Sequence, residues 1–198
     1  MTASSSPVLG VDEAGFALAV HGGAGTIRRD QRLASRPVCY HEGLRRALET
    51  GREVLAGGGN ALEAVTRTVA ALEDDPLFNA GRGSVFTAAG TQEMDAAVMD
   101  GRNRRAGAVA GISGPRNPIL AARAVMELSD HVLLIGQAAL AFCREQGVAF
   151  AEPDYFFTAE RLKALQDVLE RRRGGLVADD DEQQIDGEVI EIRPIDGA

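Results

Sequence analysis

No apolar run in the chain approaches the roughly 20 residues needed to span a membrane. The start, Met1 to Asp12, has neither a basic flank nor an apolar core. A membrane anchor and a signal peptide are therefore not expected. Cysteine is scarce: Cys39 and Cys143 lie too far apart for a metal-type spacing. Both read as buried free thiols, and a cytoplasmic setting is expected. No basic stripe is present to neutralise phosphates, which argues against nucleic acid as a partner. A phosphate loop, a zinc pattern and a Ser/His/Asp or Cys/His set are all missing. No internal repeat is visible.

What is present begins with charge. The formal net charge is −8 over 198 residues, but it is unevenly spread. From Gly174 to Ala198 the acidic residues are Asp179, Asp180, Asp181, Glu182, Asp186, Glu188, Glu191 and Asp196, against Arg193 alone. That segment holds −7 and leaves the body near neutral at −1. Arg171, Arg172 and Arg173 close a predicted helix, where cations suit the helix dipole. Gly174-Gly175 then marks a boundary. The spacing predicts three parts: a flexible start (1–15), a core (16–173) and an acidic, disordered linker (174–198) with some strand character from Val189 to Ile195. The apolar fraction of 45% is that of an ordinary globular chain.

Periodicity places the elements of the core. Phe16 to Val20 reads as a short strand, and Val38 to Ala56 as a helix closed by Gly57-Gly58-Gly59. Asn60 reads as an N-cap with Glu63 three residues on, close to a capping box. Leu62, Val65, Val69 and Leu72 follow at helical spacing and are expected to face the core. Val85–Thr87 and Glu93–Met99 read as paired strands, and Ala106–Ile112 as the next strand. Asn117-Pro118 starts a helix. His131–Ile135 reads as a buried strand, Gln137–Gln146 as a helix, and Thr158 as the cap of a last helix bearing Leu162, Leu165 and Leu169. Alternation is incomplete, so a doubly wound parallel sheet is disfavoured and a helix-covered sheet of the α+β class is expected.

The most informative stretch is Leu77-Phe78-Asn79-Ala80-Gly81-Arg82-Gly83-Ser84-Val85-Phe86. Read from its residues, it is a tight polar loop behind Pro76, with glycines that allow positive φ and close backbone approach. It also resembles the matching segment of the plant-type L-asparaginase / isoaspartyl peptidase family. Ala19-Val20-His21-Gly22-Gly23-Ala24-Gly25, Glu93 to Gly101, Ala106 to Gly111, Asn117 to Arg123 and His131 to Gly136 are similar to that family's segments in the same order, over roughly residues 17 to 170.

That resemblance implies an N-terminal nucleophile hydrolase, an αββα four-layer sandwich made as one precursor that cleaves itself into α and β chains. The nucleophile is then the Thr that opens the β chain, with its own amino group as base. Nothing here resembles the start of a β chain. The chain is thus expected to be an α subunit or N-terminal half, inactive alone, ending at Ala198 as a cleavage end and paired with a β subunit in an (αβ)2 assembly. The implied substrates are β-aspartyl dipeptides and L-asparagine. No organic cofactor is implied.

The resemblance also assigns roles. Asn79 lies beside the nucleophile and supports the site; read alone, it is a turn-capping Asn. Leu72, Glu73, Asp75, Phe78, Ala80 and Arg82 map onto a sodium loop whose ligands are mainly backbone carbonyls; read alone, this is a helix-end turn. His21, Gly22 and Gly23 map onto a turn needed for self-processing. Glu93, Asp95 and Asp100 could be read as paired carboxylates, but a turn and a strand explain them. Asn117, Pro118 and Arg123 read as structural. Two alternatives stand beside the hydrolase: a non-catalytic half-protein, and a glycosylasparaginase-like relative. A bare cation-binding module would rest on the loop alone.

Overall fold

The computed structural model describes residues 15–23 and 36–173. The expected acidic linker lies outside the described residues, as does the expected flexible start apart from Gly15. Helix α1 (Arg36–Ala56) ends as the glycines predict. Gly58 adopts φ +82, while Gly58 N–H donates to Leu55 O and Gly59 N–H to Val54 O. This is the double bond of a left-handed helix end, a conformation that a Cβ disfavours. Asn60 then caps α2 (Ala61–Asp74): its Oδ1 accepts the Glu63 N–H at 2.9 Å.

Strands β1 (Met94–Asp100) and β2 (Arg105–Ile112) pair antiparallel, with a register shift between Met94 and Ala96. Helix α3 (Pro118–Leu128) crosses over to β3 (Leu133–Ile135), which pairs parallel to β2. Helices α4 (Gly136–Glu145), α5 (Pro153–Phe156) and α6 (Ala159–Arg173) complete the described chain. The result is a mixed α+β fold with a three-stranded sheet in the order β1-β2-β3.

One face of that sheet is core. Val98, Val109 and Ile112 pack with Ile119, Val125 and Met126 of α3, and with Leu62, Leu140 and Cys143. Each large aliphatic side chain fully buried there contributes about 1.5–3 kcal/mol. The other face is also apolar, yet nothing among the described residues covers it. Met99, Leu133 and Ile135 lie on it and are 58%, 53% and 61% exposed.

Five expectations need correction. The segment 131–135 is no buried strand: only Leu133–Ile135 pairs, and its outer side chains are exposed because they point to the uncovered face. Val85–Thr87 forms no strand; the backbone bonds Thr87 N–H to Thr91 O and Gly90 N–H to Thr87 O close a turn there, and β1 takes β2 as its partner instead. Phe16–Val20 shows strand-like alternation, with Phe16, Leu18 and Val20 half-buried, but no ladder partner lies beside it among the described residues. Val65 is exposed, whereas Thr66 and Thr68 are buried, their hydroxyls donating to Leu62 O and Ala64 O. Those back-bonds let threonine take helix positions that periodicity assigns to apolar residues. Cys143 is buried as expected; Cys39, on α1, is exposed.

Candidate active site

The loop after α2 is built from backbone contacts. Asp75 closes the helix by donating its N–H to Leu72 O. Its Oδ1 accepts the Leu77 N–H at 3.0 Å and its Oδ2 pairs with Arg46 at 2.7 Å. Phe78 is buried against Ala47 and Leu72, with the Tyr40 ring edge-on at 5.8 Å. A Cβ on Gly81, which has φ +48, would sit 2.3 Å from Glu73 O. A Cβ on Gly83 would sit 2.1 Å from Phe78 O and 2.6 Å from Pro76 O. Only glycine permits that approach.

Asn79 is exposed at the tip of this loop. Its Oδ1 accepts the Val85 N–H at 2.9 Å, across the loop's neck. The turn-capping contact is thus real, and it is compatible with the functional one. With Oδ1 fixed, the two Nδ2 hydrogens have no partner among the described residues. They form a fixed donor at the surface, the type of group that stabilises a developing oxyanion. Side chains from distant segments brace the same loop. Arg161 of α6 donates to Gly83 O at 2.7 Å and to Leu77 O at 3.3 Å. Gln92 Nε2 donates to Ser84 O at 2.7 Å and to Phe156 O at 3.0 Å.

The His21–Gly23 turn comes close to this loop. A Cβ on Gly22 would lie 2.8 Å from Leu44 Cδ2 and 3.1 Å from Phe78 Cε1, so the turn rests against the residue before Asn79. His21 Nδ1 accepts the Gly23 N–H at 3.1 Å, which occupies one ring nitrogen locally.

The six residues of the expected cation loop divide by what their carbonyls do. Leu72, Asp75 and Ala80 each accept one backbone hydrogen bond, from Asp75, Phe78 and Gly83. The carbonyls of Glu73, Phe78 and Arg82 accept none among the described residues. Glycines over Glu73 O and Phe78 O keep those oxygens uncrowded by side chains. Carbonyl oxygens are the type of ligand that a hard cation prefers. Among the described residues, no three His, Cys, Asp or Glu side chains gather to hold a metal.

Glu73 adds a side chain that the sequence did not announce. It is 3% exposed, and its Oε1 accepts the Ile119 N–H at 2.9 Å, capping α3 from α2. Asn117, at the helix start, makes no cap of its own; its Nδ2 donates to Ala70 O and Asp74 Oδ1. Glu73 Oε2 is buried with no partner. Burial pushes this carboxyl up from the ordinary 4.5 to about 8, against the pull of the Ile119 N–H. Burial thus favours the neutral form of this group. Next to it, burial pushes the Asp74 carboxyl up. The Tyr155 hydroxyl at 2.6 Å, with Arg116 and Asn117, outweighs that and holds it below the usual range.

The remaining carboxylates are structural. Asp100 is paired with Arg102 at 2.7 Å in the β1–β2 turn, and that hydrogen-bonded partner holds its carboxyl low. Asp95 Oδ1 accepts the Gly111 N–H at the bulge, and Glu93 Oε1 accepts from Thr91 Oγ1. Arg123 bridges Glu63 and Glu127. Arg161, Gln92 and Tyr155 were not foreseen. Arg161 reads as a helix-start surface residue, since Thr158 Oγ1 caps its N–H. Its long-range contacts, 78 and 84 residues away in sequence, leave no local signal.

Comparison with known proteins gives the family. The family model for asparaginase, Asparaginase_2, matches residues 14–191. The chain is 47% identical to an isoaspartyl peptidase of Escherichia coli over 82% of its own length and 50% of that protein. It is 44% identical to a putative isoaspartyl peptidase/L-asparaginase of Dictyostelium discoideum over 85% of its length and 48% of that protein. It is 50% identical to a plant-type L-asparaginase of Thermococcus kodakarensis over 78% of its length and 48% of that protein. The chain thus spans about half the length of the curated relatives it matches. No helix among the described residues is long and apolar enough to cross a membrane. On the family match and these identities, the chain belongs to the asparaginase family.

Proposed function

We propose that this chain is the N-terminal, α-subunit part of a self-processed, threonine-dependent amidohydrolase. It acts on β-aspartyl dipeptides and L-asparagine, releasing aspartate with an amino acid or ammonia. The observation that carries this reading is the open apolar face of the sheet, in a chain whose match spans about half the length of relatives named isoaspartyl peptidase and L-asparaginase. A sheet apolar on both faces calls for layers on both. A β subunit bearing an N-terminal Thr supplies the second sheet, giving an αββα sandwich and an (αβ)2 assembly. The reading is of a cytoplasmic enzyme with no organic cofactor.

The residues of this chain then divide the work. Asn79 holds its Nδ2 donor toward the reacting carbonyl, where one such donor is worth roughly 3 kcal/mol in the transition state. The His21-Gly22-Gly23 turn lies beside that loop and serves the cleavage of the precursor. The carbonyls of Leu72, Glu73, Asp75, Phe78, Ala80 and Arg82 would hold a sodium ion, which would supply positive charge between the end of α2 and the Asn79 loop.

Protein made from the full native gene provides the test. Intact-mass analysis is expected to give two chains, the second beginning with Thr, and a β-aspartyl dipeptide is expected to release aspartate. A single 20.9 kDa species without hydrolysis would leave a non-catalytic half-protein as the answer.

A further inference from the structure

Helix α6 carries no buried residue, yet it holds the Asn79 loop at both ends. Its Arg161 Nε donates to Gly83 O at 2.7 Å and its Nη2 to Leu77 O at 3.3 Å. Leu77 and Gly83 flank Asn79, so one guanidinium closes the loop like a clasp. Among the described residues no carboxylate pairs with Arg161, so these two carbonyls take its charge. Such charge-assisted bonds are about twice as strong as neutral ones, and a planar fork fixes two acceptors at once. Inside the clasp, Asn79 Oδ1 accepts the Val85 N–H, and Ser84 Oγ donates to Gly81 O. The rest of α6 lies over the outgoing arm of the loop, with a groove of about 240 Å3 lined by Val85, Phe86, Leu165 and Leu169.

We propose that Arg161 is a positioning residue for Asn79, and that α6 and the loop move as one unit through it. The helix is otherwise weakly attached, so its seating decides whether the Nδ2 donor is aimed. The catalytic consequence rests on the hydrolase reading above; the mechanical claim does not.

Amide hydrogen exchange and kinetics on protein from the full gene separate the two. Arg161→Ala is expected to speed exchange at the Gly83, Ser84 and Val85 amides roughly 10–100-fold, the loss of a charge-assisted hold. Amides of the β1–β2 ladder are expected to keep the parent rate. For β-aspartyl dipeptide hydrolysis kcat is expected to fall roughly 10–100-fold with KM little changed, since a misplaced donor costs rate rather than affinity. Arg161→Lys, which keeps the charge but not the fork, is expected to recover part of both. Unchanged exchange at the three loop amides overturns the clasp. Exchange that rises equally in the ladder overturns it too, because the residue would then serve general stability. A rise confined to the loop with kcat intact overturns the positioning of Asn79. An inactive parent protein would sink the hydrolase reading instead; the clasp would then stand or fall on the exchange data alone.

Discussion

The sheet–α3 core and the turn from Leu72 to Phe86 are held by different means. In the core, side chain meets side chain: Val98, Val109, Ile112, Val125 and Met126 are buried by apolar contact. In the turn, backbone meets backbone, through Gly81 on Glu73 O and Gly83 on Phe78 O, and polar side chains finish the work. Apolar contact is non-directional and scales with area, so a core tolerates small shifts. The turn depends on named atoms at named distances. The core should therefore set how stable the chain is, and the turn should set where Asn79 points.

The largest stability loss is expected in the core. Ile112 is fully buried, so Ile112→Ala should cost about 2–5 kcal/mol of global stability, read from the urea midpoint. Its effect on turnover per folded molecule should be small. A large kcat loss with the fold intact would break the division of labour.

Glu73 joins the two regions, so it sharpens the contrast. Glu73→Ala leaves the Ile119 N–H buried and unpaired, at a cost of about 1–3 kcal/mol. Glu73→Gln keeps an acceptor there and should cost less. The carboxyl binds its proton more tightly folded than unfolded. The contribution of this one group to folding stability is thus fully present below the ordinary value of 4.5 and is lost as pH rises toward about 8. Glu73→Gln should flatten that slope; a slope that survives it would locate the titration elsewhere.

The same division decides what was legible in the sequence. Helix caps and periods announce α1, α2, α3, α4 and α6, because those signals lie within a few residues of what they control. Asn60 and Thr158 cap where expected. Strand partners are long-range, so the sequence pairs Glu93–Met99 with the nearby Val85–Thr87, whereas β1 pairs with β2. The apolar run at 131–135 reads as buried because hydropathy cannot tell a covered face from an open one. In the turn, Asn79 was legible only through its family-like neighbours. Arg161 and the Glu73 cap were not legible, since nothing local marks an arginine that closes a loop 78 residues away.

Gly83→Ala should cost less stability than Ile112→Ala, about 1–3 kcal/mol. The new Cβ would lie 2.1 Å from Phe78 O, so the turn must open. Activity should drop further than the midpoint shift explains. Full activity at reduced stability would mean that the turn is merely another piece of core.

Asn79→Ala is expected to have the smallest effect on stability and the largest on chemistry. The side chain is exposed and makes one neutral bond, to the Val85 N–H, so its loss should cost about 0.5–1.5 kcal/mol. If its Nδ2 faces the reacting carbonyl, hydrolysis or maturation of the full protein should slow by about 100–1,000-fold, as when one oxyanion donor is removed. Asn79→Asp separates the two roles. Its carboxylate can still accept the Val85 N–H, so the turn survives, but the donor is gone. Slow turnover in both variants places the function on Nδ2. Slow turnover in Asn79→Ala with recovery in Asn79→Asp places it on the shape of the turn. Parent rates in both remove Asn79 from the site.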